Sequence, residues 1–201
     1  MTKPIIAIDI DDTIAESTET LRKLVNERNG VDLPSQAYTV EGEYWGYYER
    51  VWAANGLSGV SHADFADEMA TDQSHVPLLP SAHYAITQLS DAFHIILITA
   101  RDRSWELATQ RWLKQHFDGG DIELYFTESH KNSEAMTKGQ LCKERGAVVL
   151  IDDNIEHCEG AVKEGVEAIL YGEYGWNRTN TTLKRCRDWP EIVEYLSGKQ
   201  F

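Results

Sequence analysis

The sequence predicts an α/β fold: a three-layer, Rossmann-like sandwich on a parallel sheet, with a small helical cap inserted after the first strand. Three observations predict it. Short apolar, β-branched runs recur along the 201 residues, each ending in polar residues. Runs of this length that are apolar throughout suit strands buried on both faces of a parallel sheet. Helical patterns lie between them, and such alternation implies a sandwich with right-handed crossovers. The first crossover is also far too long. A β-α-β unit needs roughly 30 residues, yet the first run ends near Ile10 and the next begins near Ile95.

The expected strands are Ile5–Ile10, Ile95–Ile98, Ile122–Phe126, Val148–Ile151 and Ala168–Tyr171. After the first, Leu21, Leu24 and Val25 share a helical face, and Gly30 is placed to end that helix. Residues 15–77 are surplus to a single crossover and read as the cap, leaving 1–14 and 78–201 as the core domain. The cap carries an aromatic block running from Tyr44 to Trp52. A helix follows Pro80-Ser81 with Ala82, Ala85, Ile86 and Leu89 on its buried face. Ser104 is expected to cap the next, whose buried stripe is Trp105, Ala108, Trp112 and Leu113. Lys138–Arg145 and Glu156–Lys163 are shorter helices, and Pro190 opens a last one through Tyr195.

Composition bounds the function. The chain has 19 Lys+Arg against 33 Asp+Glu, a formal net charge of −14. That argues against a protein coating DNA or RNA polymers, which draws on dense Lys and Arg to displace counterions. It does not forbid a small phosphorylated substrate, because screening confines surface charge to roughly 8–10 Å. No apolar run approaches the roughly 18 residues of a membrane span, and the apolar start stops at Asp9, too soon for a signal-peptide core. A cytoplasmic protein with no membrane partner is expected. Cys142, Cys158 and Cys186 are widely spaced and odd in number, hence expected as reduced thiols. The seven histidines show no metal-ligand spacing and read as structural or exposed.

Chemistry collects where open parallel sheets bind ligands, at the carboxyl ends of the strands. The first strand delivers Asp9-Ile10-Asp11-Asp12-Thr13, the second Thr99-Ala100-Arg101-Asp102, and the fourth Asp152-Asp153-Asn154, while Lys138 starts the helix leading into the fourth. Any one of these acids could simply cap a turn. Together, several carboxylates converging on one edge would repel strongly unless a cation sat among them, and an all-oxygen set suits Mg²⁺ shared with a phosphate.

In order and placement these residues resemble the haloacid-dehalogenase-like phosphohydrolase superfamily. Its four motifs match Asp9/Asp11/Thr13, Thr99, Lys138 and Asp152/Asp153, and the insertion matches that superfamily's small helical cap. The resemblance implies a Mg²⁺-dependent phosphomonoesterase. Asp9 would be the nucleophile, forming an aspartyl-phosphate, and Asp11 the general acid and base. Thr99, Ala100 and Lys138 would serve the phosphate, and Arg101 would either contact it or pair with Asp102 or another acid on the surface. Asp9, Asp11 (through its backbone carbonyl), Asp152 and Asp153 would form the metal set, Asp153 either through water or only as a helix cap. Crowding by like charges is expected to favour a protonated Asp11. Lys138 is preferred as the motif lysine because it opens a helix, with Lys131, in the loop after Phe126, as the alternative.

Within the superfamily, Leu150-Ile151-Asp152-Asp153-Asn154, Thr99-Ala100-Arg101 and Gly175-Trp176-Asn177-Arg178 are similar to the 5'(3')-deoxyribonucleotidase-like group, though Gly175 stands where that group often has proline. This implies a nucleoside monophosphate as substrate, with a sugar phosphate or another small phosphorylated metabolite as the alternative. A phospho-accepting signalling domain uses similar residues in a different order, and a non-catalytic binding protein would have no need of them all. The aromatic block either stacks a base, worth roughly 1–3 kcal/mol, or packs the cap's own core. Helical spacing assigns Trp45, Tyr48 and Trp52 to the core and leaves Tyr44 and Tyr47 to face a substrate. Trp176 would stand beside the site or anchor the C-terminal segment.

Overall fold

A computed structural model describes residues 2–40, 46–117, 122–127 and 134–199. Six strands form one parallel sheet: β1 (Ile5–Ile8), β2 (His94–Thr99), β3 (Glu123–Phe126), β4 (Ala147–Asp152), β5 (Glu167–Tyr171) and β6 (Lys184–Cys186), in the order β3-β2-β1-β4-β5-β6. The three-layer, Rossmann-like expectation is borne out. β6 was not expected: its Lys184-Arg185-Cys186 is too short and too charged to read as a strand, and such residues suit a sheet edge.

Side chains alternate across the sheet, as the period of two requires. Ile6, Ile8, Ile95, Leu97, Val149, Ile151 and Ile169 enter one core layer, while Ala7, Ile96, Ile98, Leu150, Ala168 and Leu170 enter the other. The first layer is covered by α4 (Ala82–Ser90), α5 (Glu106–His116) and α8 (Trp189–Ser197), the second by α6 (Lys138–Arg145) and α7 (Ile155–Lys163). Gly139 makes the α6–α7 contact possible, since a Cβ there would lie 2.6 Å from the Gly160 carbonyl oxygen. The three cysteines are buried and free. Among the described residues no helix is long and apolar enough to cross a membrane.

Local signals explain most boundaries. Gly30, with φ of 60°, ends α1 (Ser17–Asn29), Thr137 and Gln140 form a reciprocal box at the start of α6, and Asp188 caps α8. Ser104 is not the cap of the segment leading into α5. Asp102 is: its carboxylate accepts from the Ser104 backbone N–H at 2.8 Å and starts a 3₁₀ turn, Arg103–Trp105, before the α-helix begins. An aspartate just after a strand competes well for that role.

Between β1 and α4 the chain adds α1, a 3₁₀ turn (Ser35–Thr39), α2 (Tyr47–Ala54) and α3 (Ala63–Thr71). These pack around their own cluster, which includes Val25, Tyr38, Tyr47, Val51, Trp52 and Phe65. The outgoing and returning connections run side by side: Glu16 N–H donates to the Pro77 carbonyl and Leu79 N–H to that of Ile14, both at 2.9 Å, with a bridge between Ala15 and Leu78.

Candidate active site

The strand order reverses between β1 and β4, and a switch point of this kind opens a crevice at the carboxyl ends of the strands. Because Ile8 pairs with Ile151, the residues just beyond both strands come level. Carboxylate oxygens of Asp9, Asp152 and Asp153 consequently lie within 4.8 Å of one another, all buried. The Lys138 side chain, 1 % exposed, reaches them from the first turn of α6, its Nζ 2.7 Å from Asp9 Oδ1 and 2.7 Å from Asp152 Oδ2. The fallback lysine, Lys131, lies outside the described residues.

One lysine cannot balance three acids. Burial, reinforced by Asp152 and Asp11, lifts Asp9 to about 7 despite Lys138. Burial and the neighbouring Asp152 and Asp9 push Asp153 well above the ordinary carboxylate range. Burial opposes ionisation of Asp152 too, but Lys138 and then His157 more than offset it and hold that carboxyl low. The Lys138 ammonium is burdened by the same desolvation, yet Asp152 and Asp9 stabilise it as a cation. The cluster is short of positive charge, and its all-oxygen donor set fits a hard divalent cation such as Mg²⁺.

Asp11 stands apart from this cluster. Arg101 grips it bidentately, Nε to Oδ2 at 2.8 Å and Nη2 to Oδ1 at 2.7 Å, and Ser17 Oγ donates to Oδ1 at 2.5 Å. The expectation that crowding favours a protonated Asp11 fails here. Burial does oppose its ionisation, but the Arg101 guanidinium and its hydrogen bonds outweigh that and hold the carboxyl below its ordinary range. Its carboxylate is not one of the clustered metal-ligand candidates. Arg101 is buried and nearly saturated, since Nη1 also donates to Gln73 Oε1 at 2.7 Å and Thr109 Oγ1 at 3.1 Å. Its guanidinium therefore organises the site rather than standing open for phosphate. Asp12 turns the chain through the left-handed region, φ of 51°, where its carboxylate accepts from both the N–H and the hydroxyl of Thr18.

Thr99 is fully buried at the end of β2, and its Oγ1 accepts from the Arg101 N–H at 3.1 Å. It does not border the cavity, whereas Ala100 does. That cavity, about 530 Å³, lies between the sheet edge and the inserted helices. Its floor carries Asp9, Asp11, Arg101, Lys138 and Asp153, and its upper wall Leu21, Tyr48, His62, Phe65, Met69 and Trp105.

The aromatic block is phased differently from the expectation. Tyr47 is 1 % exposed, donates its hydroxyl to the Tyr38 carbonyl and meets Trp176 edge-on at 5.1 Å. It packs the inserted helices and does not face the cavity. Tyr48 does, stacked between Trp52 and His62 at 5.9 and 5.7 Å. Gly46, in the left-handed region at the start of α2, sets this phase. Tyr44 and Trp45 lie outside the described residues.

Trp176 also leaves the cavity wall. Its indole Nε1 donates to Asp153 Oδ2 at 2.6 Å, while Asn177 Nδ2 donates to the Asp153 and Tyr171 carbonyls at 2.8 and 2.9 Å. The segment buttresses Asp153 from behind. A Cβ at Gly175 would lie 2.8 Å from the Tyr38 carbonyl oxygen and collide with the Tyr47 hydroxyl, which accounts for glycine there.

Two residues to which the sequence reading gave no role at the site stand at it. His157 Nδ1 sits 3.3 Å from Asp152 Oδ1, and Asn154 caps α7 through Oδ1 while its buried Nδ2 has no partner among the described residues. Both border the cavity. The run Asp152-Asp153-Asn154 places Asn154 at the strand end; His157 carries no comparable signal, because only the turn into α7 returns it to Asp152.

No protein-family profile and no curated sequence matches the chain. Solved structures do. A candidate phosphoglycolate phosphatase from Lactobacillus delbrueckii superposes with a TM-score of 0.67 at 14 % identity, over 99 % of this chain and 100 % of that one. A HAD-hydrolase candidate from Bacillus subtilis, solved bound to magnesium, gives 0.62 at 13 % over 98 % and 100 %. A conserved haloacid dehalogenase-like protein from Agrobacterium tumefaciens gives 0.61 at 11 % over 97 % and 98 %. With the sheet order, the inserted helices and the acid-lysine edge all in place, the chain has the fold of the haloacid-dehalogenase-like hydrolases.

Proposed function

We propose that this protein is a Mg²⁺-dependent phosphomonoester hydrolase working through an aspartyl-phosphate on Asp9. One observation carries the reading: three buried carboxylates meet at the switch point of the sheet, with a buried lysine bridging two of them. A cluster so costly to bury suits a site that receives a divalent cation and a phosphate together. Asp9, Asp152 and Asp153 would hold the ion, and the Asp11 backbone carbonyl would complete the protein's share. Bound there, Mg²⁺ supplies positive charge that lets an anionic carboxylate approach an anionic phosphate.

The chain's own groups do the rest. Asp9 attacks phosphorus in line, forming its acyl phosphate as the ester oxygen departs. Lys138 stays protonated and neutralises charge on the transferring group. Asp11 gives a proton to the leaving oxygen and then takes one from the water that cleaves the intermediate. The first act requires release from the Arg101 fork, and the ionised state that fork favours suits the second. Residues 15–77 act as a cap that excludes bulk water from the site, and their paired connections at Ala15–Glu16 and Pro77–Leu78 support treating them as a unit.

Nucleoside monophosphates are the first substrates to consider, because aromatic side chains, Tyr48, His62, Phe65 and Trp105, line the cavity. Small phosphorylated metabolites such as sugar phosphates form the second reading, favoured by structural neighbours described as phosphoglycolate phosphatases. Phosphate release from 5'- and 3'-nucleotides, sugar phosphates and phosphoglycolate, with Mg²⁺ and with chelator, tests the reading. Release that falls at least about a hundredfold on chelation is expected. Metal-independent release, or none from any ester, would refute it.

A further inference from the structure

The Arg101 guanidinium is held from two opposite sides. Its Nε–Nη2 edge grips Asp11, while Nη1, which points away from that edge, donates to Gln73 Oε1 at 2.7 Å and to Thr109 Oγ1 at 3.1 Å. These two anchors are themselves fixed. Gln73 follows α3, and its Nε2 donates to the Met69 carbonyl at 2.8 Å, which settles the orientation of the amide and leaves Oε1 to accept. Thr109 stands on α5, and both side chains are buried. Neither residue borders the cavity, and their side-chain hydrogen bonds run to Arg101, to Met69 and to each other rather than to the acid cluster. They reach the chemistry only through Arg101.

On the phosphomonoesterase reading above, we propose that Gln73 and Thr109 are positioning residues that hold Arg101 back while Asp11 turns to the leaving oxygen. The step they serve is the first. As the bond from Asp9 oxygen to phosphorus forms, the ester bond to phosphorus breaks, and the departing oxygen keeps the bonding pair and takes a proton from Asp11. A two-pronged ion pair resists separation, and a guanidinium tied only to Asp11 would travel with its carboxylate. Anchored at Nη1 by α5 and by the segment after α3, the guanidinium stays in place and Asp11 can part from it. Placement decides the outcome, because an error of about 1 Å at a reacting group can cost about a hundredfold in rate.

Leaving-group dependence isolates this step. Phenyl, 4-nitrophenyl and 2,4-dinitrophenyl phosphate have leaving oxygens of falling basicity, and the last departs without a proton. With the Mg²⁺-loaded protein, Gln73→Leu is expected to lower kcat/KM by about tenfold or more on phenyl phosphate, but by no more than about threefold on 2,4-dinitrophenyl phosphate. Thr109→Val removes one hydroxyl at nearly constant shape; it should show the same trend at smaller size, and it carries the test if Gln73→Leu does not fold. Thr109→Ser keeps the hydroxyl and should keep the wild-type series. Mg²⁺ should raise the unfolding midpoint of each variant as it does that of wild type, because the anchors stand apart from the metal set. Equal losses on all three esters, wild-type behaviour of both Gln73→Leu and Thr109→Val, a Thr109→Ser series like that of Thr109→Val, or loss of the Mg²⁺ shift would each overturn the inference while the phosphatase reading stands. Absence of phosphate release from every ester by wild type would instead remove the phosphatase reading, and the inference with it.

Discussion

Asp9→Asn is expected to lower phosphate release by about 10⁴-fold or more while leaving the protein folded. An amide nitrogen or oxygen does not replace a carboxylate as nucleophile, so no acyl phosphate forms and the two-step route closes. The fold should tolerate the change, because asparagine has the same shape and removes one charge from an over-acidic cluster. The pH dependence of stability gives a second readout. With Asp9 lifted to about 7 in the folded state, the native protein binds more protons than the unfolded chain between about pH 4 and pH 7. Metal-free wild type should therefore lose stability as pH rises through that window, Asp153 acting in the same direction. Asp152, held low, acts in the opposite sense, and its contribution is lost only at more acidic pH. Asp9→Asn should flatten the decline. Urea unfolding in chelator across this range checks the flattening, and activity within about tenfold of wild type would remove Asp9 from the chemistry.

Lys138→Met should be the most damaging single change to the folded state. The side chain is 1 % exposed, and its ammonium bridges Asp9 and Asp152 at 2.7 Å each. Breaking a buried pair by deleting one partner costs roughly 3–5 kcal/mol, because the surviving charge is left uncompensated. Here two carboxylates lose their cation, although protonation of Asp9 relieves part of that cost. Methionine keeps much of the length and apolar stem, so lost packing contributes little. Mg²⁺ should restore some of the lost stability by supplying the missing positive charge, a gain that appears as a shift of the unfolding midpoint with metal concentration. Activity should stay down by about 10²–10³-fold even where the protein is folded, since in the proposed mechanism Lys138 also neutralises the transferring phosphate. A variant as stable as wild type without metal would show that Lys138 does not hold the cluster together.

Much of this was legible because strand ends announce themselves. Asp9, Asp152 and Asp153 follow apolar runs directly, and Lys138 follows a capping threonine, so the sheet topology alone brings them to one edge. What escaped was set by contacts distant in sequence or by helix phase. Arg101 and Asp11 are brought together by the pairing of β1 with β2, and nothing in either local segment signals a two-pronged ion pair. That pair reverses the expected protonation of Asp11. Tyr47 and Tyr48 are adjacent, so about 100° of helix rotation decides which one meets the cavity. In a block so densely aromatic, periodicity cannot fix that rotation; the Gly46 turn does. For Trp176 the sequence left a place beside the site and an anchor of the C-terminal segment both open, and the choice fell to a contact distant in sequence: its N–H found a buried carboxylate, the partner a buried indole needs. β6 was invisible because two of its three residues are charged.

The stereochemical course at phosphorus tests the central claim most directly. Hydrolysis of an isotopically chiral phosphorothioate monoester by the Mg²⁺-loaded protein in oxygen-labelled water would be followed by configurational analysis of the inorganic thiophosphate. Two successive in-line displacements, first by Asp9 and then by water, invert the centre twice, so net retention is expected. Net inversion would mean that water attacks the substrate directly. The acid-lysine edge would then be a binding and activating site, with no covalent intermediate on Asp9.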